Sequence, residues 1–139
     1  MNIIDKKMNM ISSKLDEVFF GNALKNMKPE ISKAIKSDLA GAPKEYLNFL
    51  EQYGVGELSS FFRIDYELLD YKEIYGQKIK ELEGMLIFAS DIGDYLYAFD
   101  TKNNWEVVDI DTSGEVFERY GDFETFMNTI LDEIIENNV

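Results

Sequence analysis

Carboxylates are the side chains of this sequence that could carry out chemistry, because its 139 residues include no histidine and no cysteine. The chain therefore has no imidazole base, no thiol nucleophile and no disulfide, and it lacks the usual ligands of a zinc site. Asp91 and Asp94 flank a glycine-containing turn, and Asp109 and Asp111 follow on a predicted strand. Paired carboxylates serve as acid and base in glycoside hydrolysis, or they bind calcium or magnesium.

The spacing of these aspartates favours a turn over a chemical site. The segment at residues 91–94 does not match the twelve-residue calcium loop, and aspartate with glycine fills turns through local hydrogen bonds and positive φ. Ser13 and Ser59 have no histidine partner and no lysine motif to activate them. Neither a phosphate-binding loop nor a dinucleotide fingerprint is present. We therefore expect no catalytic residue, no metal and no cofactor.

The charge of the chain is strongly acidic and unevenly spread. The formal net charge is -13, from 14 basic and 27 acidic residues. Residues 1–45 hold eight lysines and six acids, whereas residues 46–139 hold six basic and 21 acidic residues. This balance disfavours direct binding to nucleic acid, which needs a surface that neutralises phosphates. Two interpretations remain open: a soluble acidic surface, or a negative face that attracts a basic partner.

Three helices are predicted in the first part of the chain. Residues 4–19 carry one apolar stripe at spacings of four and three, formed by Ile4, Met8, Ile11, Leu15 and Val18. Residues 29–39 form a second helix that begins near Pro29. Pro43 opens a third helix, whose buried side is predicted to consist of Tyr46, Leu47, Phe49, Leu50 and Tyr53.

The second part of the chain is predicted to form an antiparallel meander and a last helix. Strand-forming residues dominate the segments 61–64, 85–90, 95–100, 106–111 and 116–120. The last four strands are joined by connections of about four residues, which suit antiparallel neighbours because a parallel crossover needs a dozen or more. We expect the strands within residues 85–100 to be covered on both faces or central in the sheet, and residues 106–111 to be more exposed. Residues 67–75 are ambiguous in pattern, and a turn-rich helix is the interpretation that we carry forward. Asp122 is predicted to cap an amphipathic C-terminal helix.

These elements predict a single α+β domain. The expected architecture is an antiparallel or mixed sheet of about five strands, with helices packed on it and the amphipathic helix at the C-terminus. Residues 1–28 are predicted to be an N-terminal helical extension, and residues 29–139 the α+β domain.

Several short motifs resemble those of the SUKH superfamily, named after a yeast regulator of glucan synthesis and killer-toxin resistance. Residues 41–58 are similar to the family's proline-opened helix, aromatic residue, Phe-Leu pair and glycine turn, although Ala42 stands where the family has leucine. Residues 87–100 are similar to the family's strand, Asp-Gly-Gly-Asp-like turn and strand ending in Phe-Asp. The aromatic start of the last helix, at residues 123–126, also fits.

The resemblance implies an α+β fold without catalysis, and many bacterial members are immunity proteins that neutralise a cognate toxin, frequently a nuclease. A nuclease presents a basic surface to its substrate, and an acidic protein can cover that surface. We therefore expect a cognate basic toxin as partner. The predicted contact residues combine charge with aromatic area in loops beside the sheet, and they are Glu57, Tyr66, Asp70, Asp91, Asp94 and Tyr95.

Two other functions remain as alternatives. The yeast namesake suggests a regulatory scaffold with several protein partners, and the aspartates leave a carboxylate-dependent hydrolase as the least favoured case. We expect no membrane partner and a cytoplasmic location, because the longest apolar runs have five residues and a membrane helix needs about 20. The identity of the toxin and the oligomeric state are open at this point.

Overall fold

The computed structural model describes residues 3–14, 24–25, 41–53, 55–59, 61–91 and 95–137. These ranges contain four α-helices, seven β-strands and a short 3-10 turn at Lys80–Leu82. The helices are α1 (Ile3–Lys14), α2 (Lys44–Gln52), α3 (Tyr71–Tyr75) and α4 (Phe123–Asn137). The strands are β1 (Leu24–Lys25), β2 (Val55–Glu57), β3 (Phe62–Asp70), β4 (Met85–Asp91), β5 (Leu96–Asp100), β6 (Glu106–Ile110) and β7 (Val116–Gly121).

All seven strands form one antiparallel sheet in the order in which they occur along the chain. The α+β class and the C-terminal helix predicted from the sequence are thereby confirmed. The predicted count of about five strands is wrong, because the sheet extends to β1 and β2. These two strands have only two and three residues, too few to show the alternation that marks a strand in a sequence.

The main core lies on the face of the sheet that carries α1, α2 and α4. Tyr46 of α2 packs edge-on against Phe88, Phe99 and Phe123, at centroid distances of 5.0 to 5.7 Å. The buried stripe of α4 consists of Phe123, Phe126, Met127, Ile130, Leu131 and Ile134, as its sequence period predicts. Edge-on aromatic contacts such as those of Tyr46 stabilise a core beyond the area that they bury.

A smaller core lies on the opposite face, where α3 and the 3-10 turn cover the sheet. Ile87, Ala98 and Val108 lie opposite one another on three neighbouring strands and are fully buried there. Tyr71 of α3 is only 2 % exposed and packs on them. Cover on both faces of β4 and β5 is confirmed.

Strands β3 and β6 differ from their predictions. Strand β3 continues to Asp70, where we expected a helix from residue 67, and the helix begins only at Tyr71. A bulge between Ile64 and Leu69 explains why the alternation is lost in the sequence. Strand β6 was expected to be exposed, yet four of its five residues are buried because β7 and α4 cover it.

The described N-terminal residues pack onto the same core. Ile4, Met8 and Ile11 are buried against the main core, and Lys7 forms an ion pair of 2.8 Å with Asp132 of α4. The helix predicted from residue 4 is confirmed as far as Lys14, whereas Leu15, Val18 and the helix predicted at residues 29–39 lie outside the described ranges. The division of the chain at residue 28 stays a prediction.

Candidate functional site

A groove of about 730 Å³ lies on the α3 side of the sheet, at the end where β2, β3 and β4 meet. Its floor follows from the register, because directly paired residues of antiparallel strands point to the same face. Glu57 pairs with Arg63, Arg63 with Ser90 and Ser90 with Leu96, so these four residues form one row across β2 to β5.

Apolar side chains form one part of the wall. Ile74 and Tyr75 of α3 line the groove beside this row. The Ile74 side chain is 41 % exposed, whereas most large apolar side chains of the described residues are buried. Phe61 and Leu96 also belong to the apolar lining and are each partly exposed. The groove therefore offers an apolar surface that is open to a partner.

Polar side chains form the rest of the groove. The carboxylates of Glu57 and Asp91 line it, together with the hydroxyls of Ser59, Ser90 and Thr112. Arg63 also lines it, and Asp65 partly balances its charge through an ion pair of 3.4 Å. Burial of its ring raises the pKa of the Tyr75 hydroxyl most, and the Asp111 carboxylate raises it further. Asp111 is therefore a third acid near the same wall.

The turn that follows β4 positions Asp91. Its Oδ1 accepts a hydrogen bond of 3.0 Å from the backbone N–H of Tyr95, and its own N–H donates to the Tyr95 carbonyl over the same distance. These bonds join Asp91 at the end of β4 to Tyr95 just before β5, and the residues of the predicted turn between them lie outside the described ranges. The bonds leave the carboxylate at the rim, where Asp91 is partly exposed.

Asp91 also belongs to a second group of acids, which we call the acidic corner. The acidic corner consists of Asp91, Glu118, Glu133 and Glu136. It lies on the other side of the sheet, around Tyr97. Burial raises the pKa of Tyr97, and so do the carboxylates of Asp91, Asp109, Glu133 and Glu118. The four acids of the corner come from β4, β7 and α4, so the fold gathers there charges that are up to 45 residues apart in sequence.

Within the acidic corner, the carboxylates of Glu118 and Glu136 repel that of Glu133. Burial raises the pKa of Glu133, and the neighbouring carboxylates of Glu118 and Glu136 raise it further. Glu118, Glu133 and Glu136 are all exposed, so a partner can reach them. Repulsion between like charges destabilises the folded chain, and a cation that approaches reduces it.

A buried hydrogen-bond network holds this corner in place. Asp109 is 6 % exposed; its Oδ1 accepts from the Glu118 N–H and its Oδ2 from the Tyr120 hydroxyl, each over 2.8 Å. Tyr120 in turn packs edge-on against Phe126 of α4 at 5.1 Å. Asp109 therefore holds β7 at two positions, the Glu118 backbone and the Tyr120 side chain.

The structure places the predicted contact residues in different parts of the molecule. Glu57 and Asp91 both line the groove, and Tyr95 follows Asp91 across its turn. Asp70 lies elsewhere: it pairs with Leu86, five residues along β4 from Asp91, or about 16 Å. There it caps α3 in a capping box with Glu73. Tyr66 belongs to β3, and Asp94 lies outside the described residues.

Sequence reasoning missed the residues that become neighbours only through the register and the last helix. Glu118, Glu133 and Ile74 were not selected, because each is a single surface residue in its own segment. The helical period places Glu133 seven residues after Phe126, at one edge of the buried stripe of α4, with Glu136 beside it on the same side. What the sequence did not show is that β7 passes beside that side.

No group of three or more acidic residues in the described part of the chain has the geometry of a metal site. Nor is any helix within the described ranges both long and apolar enough to cross a membrane.

The sequence pattern of the SMI1 / KNR4 family (SUKH-1) matches residues 30–129. The match covers most of the chain and ends within α4. This chain belongs to the SMI1 / KNR4 family (SUKH-1). The resemblance drawn from residues 41–58 and 87–100 is thereby confirmed, and α1 lies outside the SUKH-1 match. A search of curated proteins finds no match to this SUKH-1 chain.

Proposed function

We propose that this SUKH-1 chain is a non-catalytic immunity protein, which binds and neutralises a cognate toxin through its acidic corner. The observation that carries the proposal is the convergence of Asp91, Glu118, Glu133 and Glu136 at one corner. An acidic surface of this kind fits a basic nuclease domain, whose own surface must attract phosphates.

The cost of the acidic corner supports a binding role. If the acids served solubility alone, they would be best spread apart, because close like charges destabilise the fold. Instead, buried Asp109 holds the backbone of Glu118 by a hydrogen bond. The Glu118 carboxylate lies where it raises the pKa of Glu133. A cationic partner offsets this repulsion on binding, which explains why such an arrangement is useful.

The surroundings of the acids support a function without catalysis. Asp109 accepts hydrogen bonds from Tyr120 and from the backbone, and Asp91 accepts one from the Tyr95 N–H. Asp100 accepts from Asn103 and Arg119; these bonds outweigh the opposite effect of burial and lower the pKa of its carboxyl. A general acid needs a raised pKa close to the working pH, whereas the pKa of Asp100 is lowered.

The experiment compares two variants with the same net charge. The corner variant carries Glu118→Gln, Glu133→Gln and Glu136→Gln, and the matched control carries Glu45→Gln, Glu51→Gln and Glu124→Gln. All six glutamates are exposed, so both variants should keep the fold. Each protein is used as bait in lysate of the native host, and the captured protein is then produced in a test host with and without each form of this chain.

We expect the wild type and the matched control to capture a basic protein in equal stoichiometry and to relieve its toxicity. The corner variant should capture less of it and protect less. The proposal is overturned if the captured protein is harmless in the test host, or if the corner variant protects as well as the control. Several neutral partners, bound weakly and equally by all three forms, would indicate the regulatory scaffold instead.

A further inference from the structure

We propose that the groove beside α3 binds an arginine side chain of the partner, presented on an extended loop between apolar neighbours. This inference rests on the proposed function, and it adds a specific anchor to the general attraction of the acidic corner. Asp91 connects the two surfaces, because it lines the groove and also belongs to the corner.

The size and lining of the groove fit one anchored side chain with its neighbours. Its volume of about 730 Å³ falls within the range of about 300–1,000 Å³ typical of ligand pockets. Ile74, Tyr75 and Leu96 offer apolar contact along the stem of a long side chain. Binding would cover Ile74, which is 41 % exposed in the isolated chain.

The charges of the groove favour a cationic occupant. Glu57 and Asp91 line it, and Asp111 lies near the Tyr75 hydroxyl. Hydrogen bonds from the Ser113 side chain and the Glu115 backbone lower the pKa of Asp111, so that it stays ionised near neutral pH. Among the described residues that line the groove, Arg63 is the one cation, and Asp65 already pairs with it. Carboxylates therefore outnumber cations at this site, which disfavours an anionic ligand.

Arginine suits this lining better than lysine. Its planar group presents five N–H donors, and the groove offers carboxylate oxygens together with the Ser90 and Thr112 hydroxyls as acceptors. The same plane can stack on the ring of Tyr75, whereas an ammonium group acts as a compact point charge. Arginine is also among the residues that most often dominate the energy of protein interfaces.

The first test uses a small probe and the intact chain. Acetyl-Leu-Arg-Leu-amide is titrated into isotope-labelled protein and followed by NMR, with the citrulline peptide as a neutral control of the same shape. We expect saturable millimolar binding that shifts the amides of Glu57, Ile74 and Leu96, and no such shifts with citrulline. Equal shifts with both peptides, no saturable shifts, or shifts at the acidic corner alone would overturn the inference.

The second test separates the groove from the corner in partner binding. The groove variant carries Glu57→Gln and Ile74→Ser; its control carries Glu51→Gln and Ile3→Ser, which also remove one exposed acid and one exposed isoleucine. We expect the groove variant to bind the captured partner about tenfold more weakly than its control. If the groove variant binds as well as its control while the corner variant fails, the inference is overturned and the proposed function stands. If the groove variant, the corner variant and their controls all bind the partner equally, both the inference and the proposed function are overturned.

Discussion

The Tyr120 hydroxyl donates a hydrogen bond of 2.8 Å to Oδ2 of Asp109, a carboxylate that is 6 % exposed. This bond connects β7 to β6 beneath the acidic corner. Asp109 also accepts a hydrogen bond from the Glu118 N–H. The same buried carboxylate therefore holds the backbone of one of the surface acids. Buried Asp109 therefore connects the core residue Tyr120 with Glu118 of the proposed binding surface.

Tyr120→Phe should lower the free energy of unfolding by about 2 kcal/mol, because it leaves a buried carboxylate oxygen without its donor. Denaturant unfolding at neutral pH measures the effect. The control is Tyr95→Phe, which removes a hydroxyl that makes no hydrogen bond with the described residues. Equal stability of the two variants would show that the bond to Asp109 contributes nothing.

Asp122→Ala should lower the free energy of unfolding by about 1 kcal/mol, because Asp122 caps α4. Its Oδ1 accepts from the Thr125 N–H over 2.8 Å, and this bond lowers the pKa of Asp122. The ionic part of the stabilisation is therefore complete above the unfolded pKa of about 3.9 and is lost as the pH falls through the folded value.

The comparison of Asp122→Asn with wild type isolates that ionic part, because asparagine keeps the capping oxygen. We expect asparagine to be slightly less stable than wild type at pH 7 and equally stable at about pH 2. A difference that is as large in acid as at neutral pH would contradict the assignment of the charge to the cap.

Glu133→Gln should raise the melting temperature at pH 7. Burial and the carboxylates of Glu118 and Glu136 raise the pKa of Glu133, so its ionised form costs stability in the folded chain. That cost begins as the pH rises past the unfolded value of about 4.3 and is complete above the folded pKa. The gain should disappear at about pH 3, where the carboxyl is protonated in both states. A lower melting temperature at pH 7 would refute the repulsion.

Gly41→Ala should displace the indole of Trp105. A Cβ at position 41 would lie 2.6 Å from Nε1 of Trp105, closer than real contacts allow. Trp105 is the single tryptophan, so its fluorescence emission reports the movement, and the overpacking should cost about 1–3 kcal/mol.

Gly76→Ala is the matched control for Gly41→Ala. Gly76 has φ of 70°, and a Cβ there meets nothing within 4 Å, so alanine causes backbone strain without a clash. Its emission should equal that of wild type. Equal emission from Gly41→Ala as well would contradict the close approach to Trp105.

Local patterns predicted those parts of the fold that depend on neighbouring residues in sequence. The period of α4, its cap at Asp122 and the short connections of the meander all follow from contacts within a few residues. The extra strands β1 and β2 could not be predicted in this way, because two or three residues form a strand only when a partner is present. Burial of β6 likewise depends on β7 and α4, which come later in the chain.

The candidate site was predictable in composition but not in position. The acidic excess of residues 46–139 left a negative face as one of two interpretations, and Glu57 and Asp91 both line the groove. Asp70 has similar neighbours in sequence, yet the register of β3 with β4 carries it to the far end of the sheet. The meeting of Glu118 with Glu133 depends on how β7 crosses α4, and no local pattern encodes that crossing.

The central claim is that charge at the acidic corner drives partner binding. Titration calorimetry of the captured partner with wild type and with the corner variant, each at low and at high salt, tests it most directly. The account predicts that wild-type affinity falls about tenfold or more as salt rises, and that the corner variant binds weakly with little salt dependence. Affinity that is the same for both proteins, or unchanged by salt, would contradict it.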